Sequence, residues 1–443
     1  MGVQTWVLIS DPVLAQEIFM THGVTTSDRP PHTFFYCYSH GGRGVVCSDA
    51  NKRWKRARTA ALSVLAPQRV NQFTDVLLYE ADAVVEKLVS HSQLHGQVDP
   101  STYVQSAAMN VILTTCYATR VNSADDPLFK EIMECVHVNM KVAGAEGDIS
   151  QFFPIFSILD GLVGKKRAFI DFLANIRDPL VTRLIQQAAS SDKDSMVKTF
   201  LALKDEYDLD DKDILVILTD LIVGGTDTVS VSLSWMIAIL SHHPDVQKKI
   251  QTELDAFIQT HGRLPTFEER DQFPYIISVQ KECIRYRSIT SFGLPHMASS
   301  DLVVRDYFIP KGTILVSNLN GMHMNPDVYY DPEIFKPDRF LNNTRTMSSA
   351  ANGNIKQRDH FIFGWGRRLC PGIHLAEVEM FHIFIRIFAY SSIAAPLDKD
   401  GKEVPVDLDS GINAGLVTLP LPYQVRFIPR TDSPLKIDSF NTQ

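Results

Sequence analysis

Between Val70 and about Lys204, apolar residues recur at spacings of three and four, which predicts a succession of amphipathic helices. Gly144–Gly147 and Pro154 punctuate this stretch, and Asp192–Ser195 reads as a polar loop. Asp211 to about Ser241 predicts one long helix, stopped before Pro244. Its segment Leu221–Leu240 holds 20 residues and one charge, long enough to span a bilayer. Asp227, a third of the way in and flanked by Thr226, Thr228 and three serines, argues instead for the central buried helix of a large fold. Asp245–Phe257 and Tyr275–Arg287 are further helices. Val7–Ser10 reads as a strand, and Asp11-Pro12 opens a helix that ends before Gly23. Alternation over Leu302–Pro310 and Thr313–Ser317 predicts a small β region, with Tyr423–Ile428 as a closing strand.

The 443 residues are 45% hydrophobic and 21% charged, ample for a large core. No Pro/Gly/Ser-rich linker or repeat divides them, so residues 1–430 are expected to form one unit, followed by a polar tail, 431–443. A net charge of −8 argues against a nucleic-acid partner. Six cysteines without framework spacing fit a reducing compartment.

The candidate chemistry gathers at residues 361–375, FIFGWGRRLCPGIHL. Cys370 stands between a glycine-rich, arginine-bearing turn and an apolar helix running to about Tyr390. Pro371 suits the first turn of that helix, whose unpaired N–H groups would favour a thiolate. Gly366 and Gly372 would let the backbone approach something flat. Arg368 offers a charge for a carboxylate, and Phe363 an aromatic wall. No second cysteine lies at metal-pair spacing, so a zinc site is not expected.

The spacing Phe363–x–x–Gly366–x–Arg368–x–Cys370–x–Gly372 resembles in full the haem-binding signature of the cytochrome P-450 family. Other segments match in the family's order. Gly224-Gly225-Thr226-Asp227-Thr228 is similar to the oxygen-activation motif. Paired glycines there would allow the helix to widen locally, and a threonine hydroxyl could fill the freed groove. Glu282 and Arg285 resemble the E–x–x–R pair, joined by Arg339 of Pro337-Asp338-Arg339-Phe340.

The resemblance implies a mainly α fold with a small β region, in which haem b lies between the long central helix and the Cys-loop helix. Cys370 would be the axial ligand; Thr228 and Asp227 would deliver protons to bound dioxygen. Trp54, Arg58, His296 and Arg368 would hold the propionates. Phe34 and Phe35, from an aromatic-rich loop over residues 29–43, would face the substrate with Thr290, Ser291 and Phe292, and residues 411–419 would form the last pocket loop. The reaction expected is monooxygenation of an apolar small molecule, with electrons from NADPH through a reductase. An isomerase or dehydratase on the same fold needs no oxygen-activating threonine, so Thr228 argues against that alternative. On the helix bearing Trp54 and Arg58, steps of about 100° turn Lys52, Arg53 and Arg56 outward as the expected reductase dock. Eukaryotic members place an anchor, a Pro-rich hinge and a first helix before the opening strand, and sit on the cytosolic face of the endoplasmic reticulum. No such segments precede the strand in these residues, so the expectation is a truncated or variant N-terminus, with a soluble or peripheral form and a chain that fails to hold haem as the alternatives.

Overall fold

The computed structural model describes residues 4–144 and 164–435. Of the punctuation expected from sequence, Gly147 and Pro154 lie outside the described residues, as does the tail from 436 onward. Strand β1, Trp6–Ile9, leads into helix α1, Pro12–Gln16, which continues as a wider turn over Glu17–Thr21. Asp11 caps α1, its carboxylate accepting from the Val13 and Leu14 N–H groups. Next come α2, Thr33–Tyr38; α3, Lys52–Val64; α4, Thr74–His95; α5, Ser101–Tyr117; and α6, Pro127–Ala143. After α7, Asp178–Ser190, the long α8 spans Asp211–Leu240, followed by α9, Pro244–His261, and α10, Pro274–Tyr286. Helix α11, Ile373–Tyr390, follows the cysteine loop.

Helix α8 begins where sequence predicts because Asp210 and Asp213 form a reciprocal capping box. It packs against α3, α5, α6, α7, α9, α10 and α11, and 72% of its most apolar stretch is buried inside the protein. An all-round apolar helix is thereby accounted for by core packing.

The strands stay at the rim. β1 pairs in parallel with β5, Ile314–Ser317, and β5 pairs antiparallel with β2, His296–Met297. Three two-stranded ladders complete the β region: Leu302–Val304 (β3) with Tyr307–Ile309 (β4), Ser391–Ala394 (β6) with Arg426–Pro429 (β9), and Gly411–Asn413 (β7) with Thr418–Pro420 (β8). The closing strand thus starts three residues later than expected.

One large apolar cluster joins the helices. A second fastens the sheet to the cysteine loop through Ile9, Phe19, Leu315, Phe361 and Trp365, with the Phe361 and Trp365 rings stacked 5.4 Å apart. Full burial of side chains of this size stabilises by about 1.5–3 kcal/mol each.

Two expectations need correction here. Residues 29–43 are not all loop, because α2 lies within them. Its aromatic residues are poor helix formers, but Phe34 packs edge-to-face on Phe169 and His32 caps the Phe35 N–H, so tertiary contacts override propensity. Pro371 does not sit in the first turn of α11. The helix starts at Ile373 with Gly372 as its cap, and Cys370 stays in the preceding turn.

Candidate functional site

A largely apolar cavity of about 360 Å³ lies between α8 and the cysteine loop. Cys370, Phe363 and Gly372 border it from one side, and Gly224, Gly225 and Thr228 from the other. A fixed backbone presents the sulfur. The Cys370 N–H donates to the Phe363 carbonyl at 2.9 Å, and Arg358, stacked over Trp365 at 4.1 Å, donates to the carbonyls of His360 and Gly364. Burial pushes the Cys370 thiol up, opposed by the Gly372 N–H and by Arg58. The expected help from the helix end is therefore present but does not outweigh desolvation. A thiolate here needs a further cation beside it, which a ligated metal ion supplies.

Cationic side chains collect at the rim of the same cavity. Arg368 is buried and donates to the carbonyls of Ser27, Val45 and Ser48. Burial, with Arg29 and Arg58 adding to it, depresses its guanidinium to about 8. Burial also lowers Arg29, to about 10, and lowers Arg58. Arg29 bonds the carbonyls of Val46, Leu294 and Pro295, all neutral partners. Three converging cations held by carbonyls, with Asp28 and Asp49 as only minor counter-charges, favour a ligand carrying carboxylates. His296 borders the cavity too. Its Nδ1–H donates to the Thr26 carbonyl at 2.7 Å, and burial keeps the ring neutral. A Cβ built on Gly224 or Gly372 would meet nothing within 4 Å, so open space adjoins both. A flat, dianionic, metal-bearing group fits this donor set: a thiol for the metal, arginines for the acids, and bare backbone for the ring.

Several side chains sit differently from expectation. Trp54 does not border the cavity among the residues described; its indole N–H donates to the Val45 carbonyl and its ring lies under Arg368 at 4.4 Å, a platform rather than a direct ligand. Gly366 is required by its left-handed φ of 49° and by the Phe19 carbonyl, 2.4 Å from where a Cβ would stand, so its close approach is to protein. Gly224-Gly225 do not widen α8, which is helical throughout. Gly225 instead admits Ile112 of α5, 2.4 Å from its would-be Cβ. Thr228 faces the cavity and its hydroxyl donates back to the Gly224 carbonyl at 2.6 Å. Asp227 is one residue off that face, about 100° round the helix. Its carboxylate turns to α5 and accepts from Gln105 at 3.1 Å, and burial pushes its pKa up. Phe34, Phe35, Thr290 and Phe292 border the cavity, Phe292 from a half-exposed position; Ser291, in the same bend, is exposed and is not among the lining residues. Residues Leu416 and Val417 of the last loop join the lining.

The expected basic dock is changed most. Arg53 is bound by Asp213, which is fully buried, and by Asp210, at 2.7 and 2.6 Å; Arg56 is bound by Asp208. The acidic run at residues 208–213 folds over α3, so only Lys52 and Lys55 on its outer face lack such partners among the ion pairs described.

Behind the cysteine loop, Glu282 and Arg285 are fully buried and paired at 2.7 Å, and Arg339 reaches Glu282 at 3.0 Å. Arg285 also donates to the carbonyls of His323 and Pro332, and Arg339 to those of Tyr330, Asp331 and Ile334. The three expected partners are together, every charge satisfied.

Sequence reading missed Arg29 and Asp220. Asp220 lies two turns before Thr228 on the cavity stripe of α8 and accepts from the Tyr38 hydroxyl and the Val45 and Val46 N–H groups. The spacing Asp220–Gly224–Thr228, four residues each, was the available signal. Arg29 lies in irregular chain, where no period could mark it.

A family model described as Cytochrome P450 matches residues 1–427. The chain is 28% identical to cytochrome P450 monooxygenase yanC of Aspergillus niger, over 97% of this chain and 82% of that protein. It is equally 28% identical to cytochrome P450 2D26 of Mus musculus, over 96% of this chain and 84% of that one. Among solved structures it is similar to a zebra fish cytochrome P450 with progesterone, at a TM-score of 0.81 and 24% identity, covering 97% of this chain and 95% of the other.

Proposed function

The chain belongs to the cytochrome P450 family, and from that premise we propose that it is a haem-thiolate monooxygenase oxidising an apolar organic molecule, with electrons from NADPH through a flavoprotein reductase. The observation that carries this is the convergence of Cys370, Thr228 and the arginine cluster on one apolar cavity. Residues 1–430 would act as one catalytic unit. Cys370 would ligate the iron of haem b, with Arg29, Arg58, Arg368 and His296 about the propionates. A haem so ligated supplies oxygen activation, the thiolate favouring O–O cleavage.

The chain's own residues do the rest. The apolar walls exclude water and orient the substrate by shape. Thr228 would hold a proton at its Oγ1, which donates to the Gly224 carbonyl at the cavity wall. Asp227, raised by burial and tied to Gln105, would take protons from the α5 side and pass them to Thr228. A threonine directed into the cavity favours oxygen chemistry over the isomerase reading.

The test is the carbon monoxide spectrum of the reduced protein. Wild type is expected to give the red-shifted thiolate band, and Cys370→Ser to lose it together with turnover while helix content stays. A thiolate band in the Ser variant would move the ligand to another cysteine and overturn the assignment. A reductase would meet Lys52 and Lys55 rather than Arg53 and Arg56. A haem reduction rate that does not fall with ionic strength would remove that part of the reading. Placement at the endoplasmic reticulum membrane belongs to the same proposal, and recovery of the full-length gene product in a soluble cell fraction would count against it.

A further inference from the structure

The chain holds two Asn-Gly pairs, Asn320-Gly321 and Asn352-Gly353. Such a pair carries its own electrophile and nucleophile, the asparagine amide carbon and the next backbone nitrogen, and glycine leaves that nitrogen unhindered by a Cβ. Both asparagines are exposed. What differs is how the fold holds each glycine nitrogen.

Asn320-Gly321 lies inside the short helix Leu319–His323, whose Leu319, Met322 and His323 are buried. The Gly321 N–H donates to Asn318 Oδ1 at 3.0 Å, and a Cβ on Gly321 would stand 2.3 Å from Asn318 Nδ2. The Asn320 N–H donates to the Ser291 carbonyl at 3.1 Å, and the Asn320 carbonyl accepts from Met324 at 2.9 Å. Asn352 instead ends the helix Met347–Asn352, and Gly353 follows in extended backbone, at φ −89° and ψ −165°. Two bonds restrain this pair: the Gly353 N–H to the Ala350 carbonyl at 3.2 Å, and Asn352 Nδ2 to the Ser348 carbonyl at 2.9 Å on the exposed surface. Both belong to the last turn of a helix of only 6 residues, where opening costs little. Asn354, Lys356 and Gln357 beyond it are exposed, and the buried Met347, Ala350 and Ala351 need not move for that turn to open.

We propose that Asn352-Gly353 is a site of spontaneous deamidation and that the fold protects Asn320-Gly321. The Gly353 nitrogen gives its proton to solvent base and attacks Asn352 Cγ; the N–Cγ bond forms, the Cγ–Nδ2 bond breaks, and Nδ2 leaves as ammonia. Water then opens the cyclic imide at either carbonyl, giving aspartate or its β-linked isomer. The net change is water in and ammonia out, with no oxidant or reductant. The product carboxylate is placed on the border of a polar pocket shared with Arg270 and His374, beside the first turn of α11. Among the described ion pairs, Arg270 has only Asp271, at 3.7 Å, so the modification adds a negative charge next to a weakly paired cation.

The experiment incubates the full chain, as purified, at mildly alkaline pH and follows the peptides carrying residues 320 and 352 by mass spectrometry. The 352 peptide is expected to gain about 1 Da. It should do so at least about ten-fold faster than the 320 peptide, because a helix end opens more readily than a buried turn. In denaturant the two rates should converge, since only the fold distinguishes the pairs. Asn352→Gln, whose extra methylene carries the amide carbon away from the Gly353 nitrogen, should lose the gain. Equal rates in the folded protein, a faster gain at residue 320, or no gain at residue 352 by the time the denatured chain has reacted overturns the proposal. A gain that persists in Asn352→Gln does so too, and moves the reaction to Asn354.

Discussion

The two sides of the cavity are held by different physics. Behind Cys370, buried charges and carbonyls lock the backbone: Glu282 with Arg285 and Arg339, and Arg358 over Trp365. Opposite, α2, α6 and the loop before β8 close the roof mainly by apolar contact, such as Phe34 on Phe169, with Asp220 as a buried carboxylate anchor to α8 and the buried Arg177 holding the Tyr38 carbonyl. Locked charge gives one rigid geometry for a ligand atom, because removing any member strands the others. Apolar closure tolerates rearrangement, which suits walls that must admit a substrate.

The largest expected effect breaks the rigid side. Glu282→Ala leaves Arg285 and Arg339 buried without their carboxylate and should cost about 3–5 kcal/mol, read as loss of thermal stability and of haem retention. A variant that unfolds like wild type would show the network to be dispensable, and the contrast between the two sides would fail.

The roof should respond to pH instead. Burial pushes Asp220 up to about 6 from 3.8, against the hydrogen bonds it accepts. A carboxyl whose folded value is raised stabilises fully below its unfolded value and loses that contribution as pH rises through the folded one. Wild type should therefore lose up to about 3 kcal/mol between pH about 4 and about 7 that Asp220→Asn does not lose. The readout is the difference in denaturant midpoints between the two proteins across that range. Parallel profiles would mean that Asp220 is ionised in the folded state throughout.

The smallest free-energy change falls between the two sides. Thr228→Ala should leave stability and substrate binding as they are, and lower product formed per NADPH consumed about ten-fold, roughly 1.4 kcal/mol at the proton-delivery step. An unchanged ratio would hand that role to another group, and Asp227, facing Gln105, would then need a different account.

The rigid side was the more legible from sequence. Its parts are local, since Phe363 to Gly372 and Glu282 to Arg285 each lie within three turns' worth of chain, and fixed spacing fixes their relative placement. The helix of α8 was equally plain because Asp210 and Asp213 cap it and Pro244 follows its end. Even the turn of Asp227 away from the cavity is implied by its being one residue from Thr228.

What only the tertiary structure decided concerns charges and neighbours distant in the chain. Arg53 looked free on its helix, yet Asp213, 160 residues away, binds it. Arg29 gave no periodic signal, yet folding brings its guanidinium to the Leu294 and Pro295 carbonyls beside Arg368. Sequence determines which side chains share a face, because backbone geometry is local. Which charge is neutralised, and which acceptor is left over, depends on what packs against that face, and desolvation acts only once it has.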